Sequence, residues 1–129
     1  MFWTAVLIVV VLIIVAAVIY WLFVIAEGAY LGPKTVVLLY DWSAKSYDRI
    51  KDVSPIDEAE RLARPLLSQL NGATYPLVLD VATGTGRLPL ALLRQPDFAG
   101  RVIGTDLSAR MLAEAYRKAA WFRSQVDFV

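Results

Sequence analysis

The 129-residue chain contains no cysteine and no histidine. Without thiols there is no disulfide framework and no thiolate site, and cysteine usage gives no sign of the redox compartment. Without imidazole the commonest general base and the commonest metal ligand are both missing, and no metal site is expected. Charge is absent from residues 2–26, FWTAVLIVVVLIIVAAVIYWLFVIA, and no excess of either sign exists overall, since 13 Lys and Arg face 12 Asp and Glu. A net charge of +1 with the signs interspersed lacks the basic footprint of a nucleic-acid binder, so no nucleic-acid partner is expected. No internal repeat or low-complexity segment is present.

The uncharged opening segment is long enough to matter. At 1.5 Å per residue its 25 residues make a helix of about 37 Å, against about 30 Å of bilayer hydrocarbon, and a helix satisfies its own backbone groups as lipid demands. Trp3 near one end and Tyr20 with Trp21 near the other suit the two interfaces. Val24-Ile25-Ala26 resembles a signal-peptide cleavage site, but the apolar run exceeds the usual length and no Lys or Arg precedes it, so residues 1–26 are read as a single-pass transmembrane helix. Lys34 and Lys45 follow the segment and nothing basic comes before it, so the positive-inside rule puts residues 27–129 in the cytoplasm, although Glu27 and Asp41 dilute the bias.

Residues 27–53 read as a juxtamembrane linker and lead-in segment. EGAYLGPK carries two glycines and a proline, TVVLLY is too short to span a membrane, and DWSAKSYDRIK is mixed and helical in pattern. Ser54, Pro55 and Asp57 supply an N-cap, a first-turn proline and a capping-box acid, so a helix is expected from Pro55. Its apolar stripe is Ile56, Ala59, Leu62, Ala63, Leu66, Leu67 and Leu70, Asn71-Gly72 is its stop, and Pro65 should kink or divide it. Leu77–Val81 reads as a strand buried on both faces, 86–95 as a helix, Arg101–Thr105 as a second strand, Ser108 to about Ala120 as a Ser108-capped helix, and Val126–Val129 as the start of a third strand. Leu107, Met111, Ala115 and Ala119 are expected to share a helix face, and Glu114 to pair with Lys118. Alternating strands and helices predict an α/β fold, a partial Rossmann-like parallel sheet of about three strands with crossover helices, in residues 54–129.

In such a sheet ligands bind where a strand end turns into the next helix. Gly84 and Gly86 lack a Cβ, so their backbone can turn tightly and approach a ligand. Asp80 at the strand end can pair with a cationic group, and Asp106 at the end of the next strand can accept both hydroxyls of a ribose. The two phosphate-cradling patterns fail. A dinucleotide fingerprint counted from Gly84 would need glycine where Pro89 stands, and a P-loop would need Lys after Gly86, where Arg87 stands.

LDVATGTGRLPLAL followed by VIGTDLSARML at residues 102–112 resembles the first two motifs of the class I S-adenosylmethionine-dependent methyltransferases, nearest to the menaquinone and ubiquinone methyltransferases. WSAKSYDRI at 42–50 resembles the segment ahead of the core in that group. The resemblance implies that Asp80, Thr83, Gly84 and Gly86 hold the methionine end of S-adenosyl-L-methionine, that Asp106 binds the ribose, and that Leu107 and Met111 border the adenine. Tyr47 would cover the site or pack as an ordinary aromatic, and Ala82 departs from the glycine many members carry there. Met111 is also readable as core, and Arg87 as a surface residue. A whole domain of this family resembles a seven-stranded sheet, so the chain is expected to be a truncated product or fragment, lacking the acid after the third strand and the acceptor region. No catalytic residue is assigned. The expected function is methyl transfer to a small or lipid-like molecule by a membrane-anchored protein. The rival readings are a non-catalytic single-pass protein with a degenerate Rossmann module and a nicotinamide-dependent oxidoreductase, the latter disfavoured by Pro89.

Overall fold

A computed structural model of the chain describes residues 2–26, 30, 32–51, 54–70 and 72–129. The chain divides into two compact units, Met1–Leu39 and Tyr40–Val129. In the first, α1 (Phe2–Tyr20) continues through a wide π turn, Trp21–Ile25. Phe2–Ile25 makes 24 helical residues, with a mean hydropathy of 3.3 over an 18-residue window, long and apolar enough to cross a bilayer, and α1 buries none of its residues within the protein. Residues 27–29 and 31 of the expected juxtamembrane linker lie outside the described residues. TVVLLY falls within a second helix, α2 (Pro33–Ser43).

The second unit opens with the end of α2 and the short α3 (Tyr47–Lys51). α4 (Pro55–Glu58) starts where the capping signal predicts, with the Ser54 hydroxyl oxygen accepting the Asp57 N–H at 3.2 Å. Pro65 does divide the helix: a π turn, Ala59–Ala63, separates α4 from α5 (Arg64–Gln69). Proline supplies no N–H to the carbonyl four residues back and crowds it, and one wider turn relieves both defects. Of the expected stripe, Ala63 is buried and Leu62, Leu66, Leu67 and Leu70 pack on the core, but Ile56 is 75% exposed. Its place in the first turn, ahead of the wide turn, takes it off the covered face. Asn71 of the expected stop lies outside the described residues.

The sheet is parallel in the order β1 (Leu77–Val81), β2 (Arg101–Thr105), β3 (Val126–Phe128), with Leu79 opposite Ile103 and Ile103 opposite Asp127. The crossovers are α6 (Arg87–Leu93) and α7 (Ala109–Lys118), the latter capped by Ser108 as expected. Val78, Leu90–Leu93, Phe98, Val102, Ala115, Ala119, Val126 and Phe128 form the core. The reading of β1 as buried on both faces is corrected, because Leu77, Leu79 and Val81 are 67%, 62% and 71% exposed. The core lies against one face of β1 only, and an apolar strand composition is equally compatible with one covered face or two. Two further sequence readings change on α7. Lys118 pairs with Asp48 at 2.6 Å and Glu114 with Arg117 at 2.8 Å, so the i,i+4 pair does not form. Leu107 precedes the Ser108 cap and is 82% exposed, whereas Met111, Ala115 and Ala119 are buried.

Candidate functional site

The turn between β1 and α6 is built from backbone that ordinary residues resist. Gly84 and Gly86 have φ of +56° and +76°, and Ala82 shares the left-handed region at +59°. A Cβ on Gly84 would meet nothing within 4 Å, so open space faces this backbone. A Cβ on Gly86 would sit 3.0 Å from Ala115 Cβ and 3.2 Å from Phe128 Cζ, so here glycine allows the helices and β3 to close up beneath the turn. Phe128 also lies against Gly104, where a Cβ would be 2.7 Å from its ring. Tyr116 fixes that ring edge-to-face at 5.2 Å and donates its hydroxyl to the Phe128 carbonyl at 2.9 Å.

Two carboxylates converge on the turn. Asp106 accepts the Gly84 N–H through Oδ2 at 2.7 Å and the Ser108 N–H through Oδ1 at 2.8 Å, tying the two strand ends together. Asp80 Oδ2 accepts the Thr83 hydroxyl at 2.6 Å, and the Thr83 N–H donates to the Thr105 carbonyl at 2.9 Å. Burial pushes the Asp80 carboxyl upward and the nearby Asp106 charge adds to this, while the Thr83 bond opposes both; the outcome lies above the ordinary carboxylate value. A half-buried anion beside a second anion is stabilised by a cationic ligand group, and each carboxylate oxygen keeps a further lone pair for a donor. The start of α6 is a poor phosphate seat, because Pro89 removes one of the first-turn N–H groups.

The structure therefore brings together Asp80, Thr83, Gly84, Gly86 and Asp106 around one turn. It separates the other two expected residues: Leu107 stands open beside Asp106, whereas Met111 is 1% exposed. Met111 packs in the interior, in keeping with the alternative reading of it as core. Tyr47 is half-buried, with its ring 5.9 Å from that of Tyr40 and the Lys51 ammonium 5.6 Å from its centroid. Arg87 is no plain surface residue, since its Nε bonds Glu58 at 2.9 Å.

Sequence reasoning missed the polar links from the lead-in segment. Asp41 accepts the Ser108 hydroxyl at 2.5 Å and the Arg110 N–H at 3.3 Å, and Asp48 accepts the Thr85 hydroxyl at 2.5 Å and the Lys118 ammonium at 2.6 Å. Burial pushes the Asp48 carboxyl up, but its bonds from Lys118 and Thr85, with the charges of Lys118 and Arg87, outweigh burial and hold it below the ordinary value. Separations of 37 to 70 residues leave no periodic signal for such pairs.

A family model described as a methyltransferase domain matches residues 78–129. A demethylmenaquinone methyltransferase of Lactiplantibacillus plantarum is 34% identical over 80 residues, covering 62% of this chain and 34% of the relative. Its counterpart from Chlorobaculum tepidum is 38% identical over 84 residues, again covering 62% of this chain and 34% of the relative. The chain thus spans about a third of the length of these curated relatives. A solved Methanococcus maripaludis structure, described as an S-adenosyl-L-methionine-dependent methyltransferase, superposes with a TM-score of 0.57 at 22% identity, over 69% of this chain and 40% of that one, and shares the fold. Both strand-end motifs lie in or directly beside the stretch 78–129 that matches the methyltransferase-domain model, and over that stretch the chain is similar to S-adenosylmethionine-dependent methyltransferases.

Proposed function

We propose that this chain holds S-adenosylmethionine for methyl transfer to a small or lipid-like acceptor, next to a membrane in which Phe2–Ile25 anchors it. One observation carries the reading: Asp106 reaches back over 22 residues to accept the Gly84 N–H at 2.7 Å, setting a carboxylate against open turn backbone. The residues present fit this cofactor. Asp80 receives the ammonium of its methionine end, Thr83, Gly84 and Gly86 line that end, Asp106 takes the ribose hydroxyls, and Leu107 borders the adenine. No phosphate has to be seated, in keeping with Arg87 and Pro89 where phosphate loops carry lysine or glycine. When bound, S-adenosylmethionine supplies an electrophilic methyl group on a sulfonium. The chain's own part is to fix that group and keep its surroundings ordered, since transfer of this kind depends largely on positioning.

The acceptor class comes from the relatives. Two named for demethylmenaquinone support a lipid-like acceptor drawn from the bilayer, and an anchoring helix would keep the site within reach of it. Residues 27–129 would then face the cytoplasm.

Titration calorimetry of the intact chain in detergent micelles with S-adenosylhomocysteine tests the proposal. Micromolar binding is expected, with no heat from NADH. Heat from NADH alone would replace the reading with a nicotinamide-dependent one. Silence from both would favour a non-catalytic single-pass protein, a second reading to which the exposed apolar face of Leu77, Leu79 and Val81 lends weight as a surface for another protein.

A further inference from the structure

The lead-in segment is fastened to the site at two points, and both fasteners are carboxylates. Asp41, in the last turn of α2, binds the cap of α7 through Ser108, which is 1% exposed. Asp48, in the first turn of α3, binds the other end of α7 through Lys118. The same Asp48 reaches into the glycine turn, where Thr85 is 1% exposed and gives its hydroxyl proton to the carboxylate. Thr85 lies between Gly84 and Gly86, both of which hold left-handed backbone. Glycine enters that backbone at little cost but does not favour it over other conformations, so a tie at Thr85 between the two narrows the choice. Lys118 is only 18% exposed, so removing Asp48 would leave a poorly hydrated ammonium and an unpartnered buried hydroxyl together.

We infer that Asp48 is a positioning residue for the cofactor turn: through Thr85 it fixes the backbone between the two glycines, and through Lys118 it keeps the lead-in segment seated along α7. The inference rests on the proposed function and names a residue outside the two strand-end motifs. Cofactor binding and seating of the segment are then coupled, because both draw on the same turn. A ligand that orders Gly84 and Gly86 strengthens the seat, and loss of the seat loosens the ligand.

The test uses the intact chain in detergent micelles. Calorimetry with S-adenosylhomocysteine is run on the parent, on Asp48→Asn, on Asp48→Glu and on Thr85→Val. Trypsin cleavage after Lys45 and Arg49, both exposed in the lead-in segment, is timed with and without ligand. In the parent the ligand is expected to slow those cleavages. In Asp48→Asn affinity should fall about 10-fold, as for a lost charge-assisted hydrogen bond, and ligand protection at Lys45 and Arg49 should vanish. Asp48→Glu keeps the charge and should recover part of both. Thr85→Val keeps volume, removes only the hydroxyl, and should weaken binding about 3- to 5-fold, giving a second route if Asp48→Asn does not fold. Parent-like affinity and protection in Asp48→Asn, or in Thr85→Val if that is the variant that folds, would overturn the inference and leave the proposed function standing. No binding by the parent would remove both.

Discussion

At the scale of single residues, Ala82 is the place where sequence and backbone disagree. Its φ of +59° is a conformation that costs an L-residue about 1 kcal/mol or more and glycine almost nothing. Ala82→Gly is therefore expected to stabilise the domain by roughly 0.5–1 kcal/mol, raising the midpoint of a near-UV thermal melt by a few degrees. Gly86→Ala goes the other way, adding an equally strained φ to a 3.0 Å contact with Ala115, and should cost about 1–3 kcal/mol in the same melt. The carboxylates give opposite signs with pH. Asp80 sits above its ordinary 3.8, so its contribution to stability is full below about that pH and is lost as pH rises through the raised value. Asp80→Asn should consequently raise the melting midpoint at pH 7 while weakening S-adenosylhomocysteine about 10-fold or more. Affinity of the parent for that cationic amino-acid end should decline as pH drops through the Asp80 value, with a proton released on binding. Asp48, held low, contributes stability above 3.8 that disappears as pH falls through its depressed value. Asp106→Asn keeps one acceptor of two and should loosen the ligand about 10-fold by calorimetry.

Elements were legible in proportion to how local their causes are. Ser108 caps α7 and Ser54 caps α4 as their sequence context predicts, and Pro65 interrupts its helix, because each effect acts within one turn. The extent of β1 and β2 follows from their apolar runs, bounded by turn residues. What periodicity did not reveal was which side of β1 would be covered, or that Lys118 would prefer Asp48, 70 residues away, to Glu114 one turn back. Glu114 is itself taken by Arg117 at 2.8 Å, and the partner of Lys118 is settled by tertiary contact rather than by helix spacing. Ser108 illustrates the two ranges at once, for its oxygen accepts the Met111 N–H at 3.1 Å and its proton goes to Asp41. Ser108→Ala should accordingly cost about 1–2 kcal/mol in urea unfolding, at the upper end for a cap, because Asp41 loses the shorter of its two hydrogen bonds too.

For the molecule as a whole, Phe2–Ile25 is apolar on every side, unlike a helix that lies along an interface with one wet face. The expected consequence is retention of the intact chain in membrane pellets after alkaline carbonate extraction, and release into the supernatant would argue against the anchor. The candidate site was legible because its parts stand at fixed places on a repeating strand-turn-helix plan, with Asp80, Gly84, Gly86 and Asp106 all at strand ends or turns. The residues that hold it from outside that plan, Asp41, Asp48 and Phe128, depend on tertiary contact alone. In the described sheet β1 has a hydrogen-bonded neighbour, β2, along one border only. Successive amides of an extended strand point to opposite borders, so deuterium uptake along Leu77–Val81 should alternate, rapid at each proton turned outward and slow at each one turned toward Arg101–Thr105.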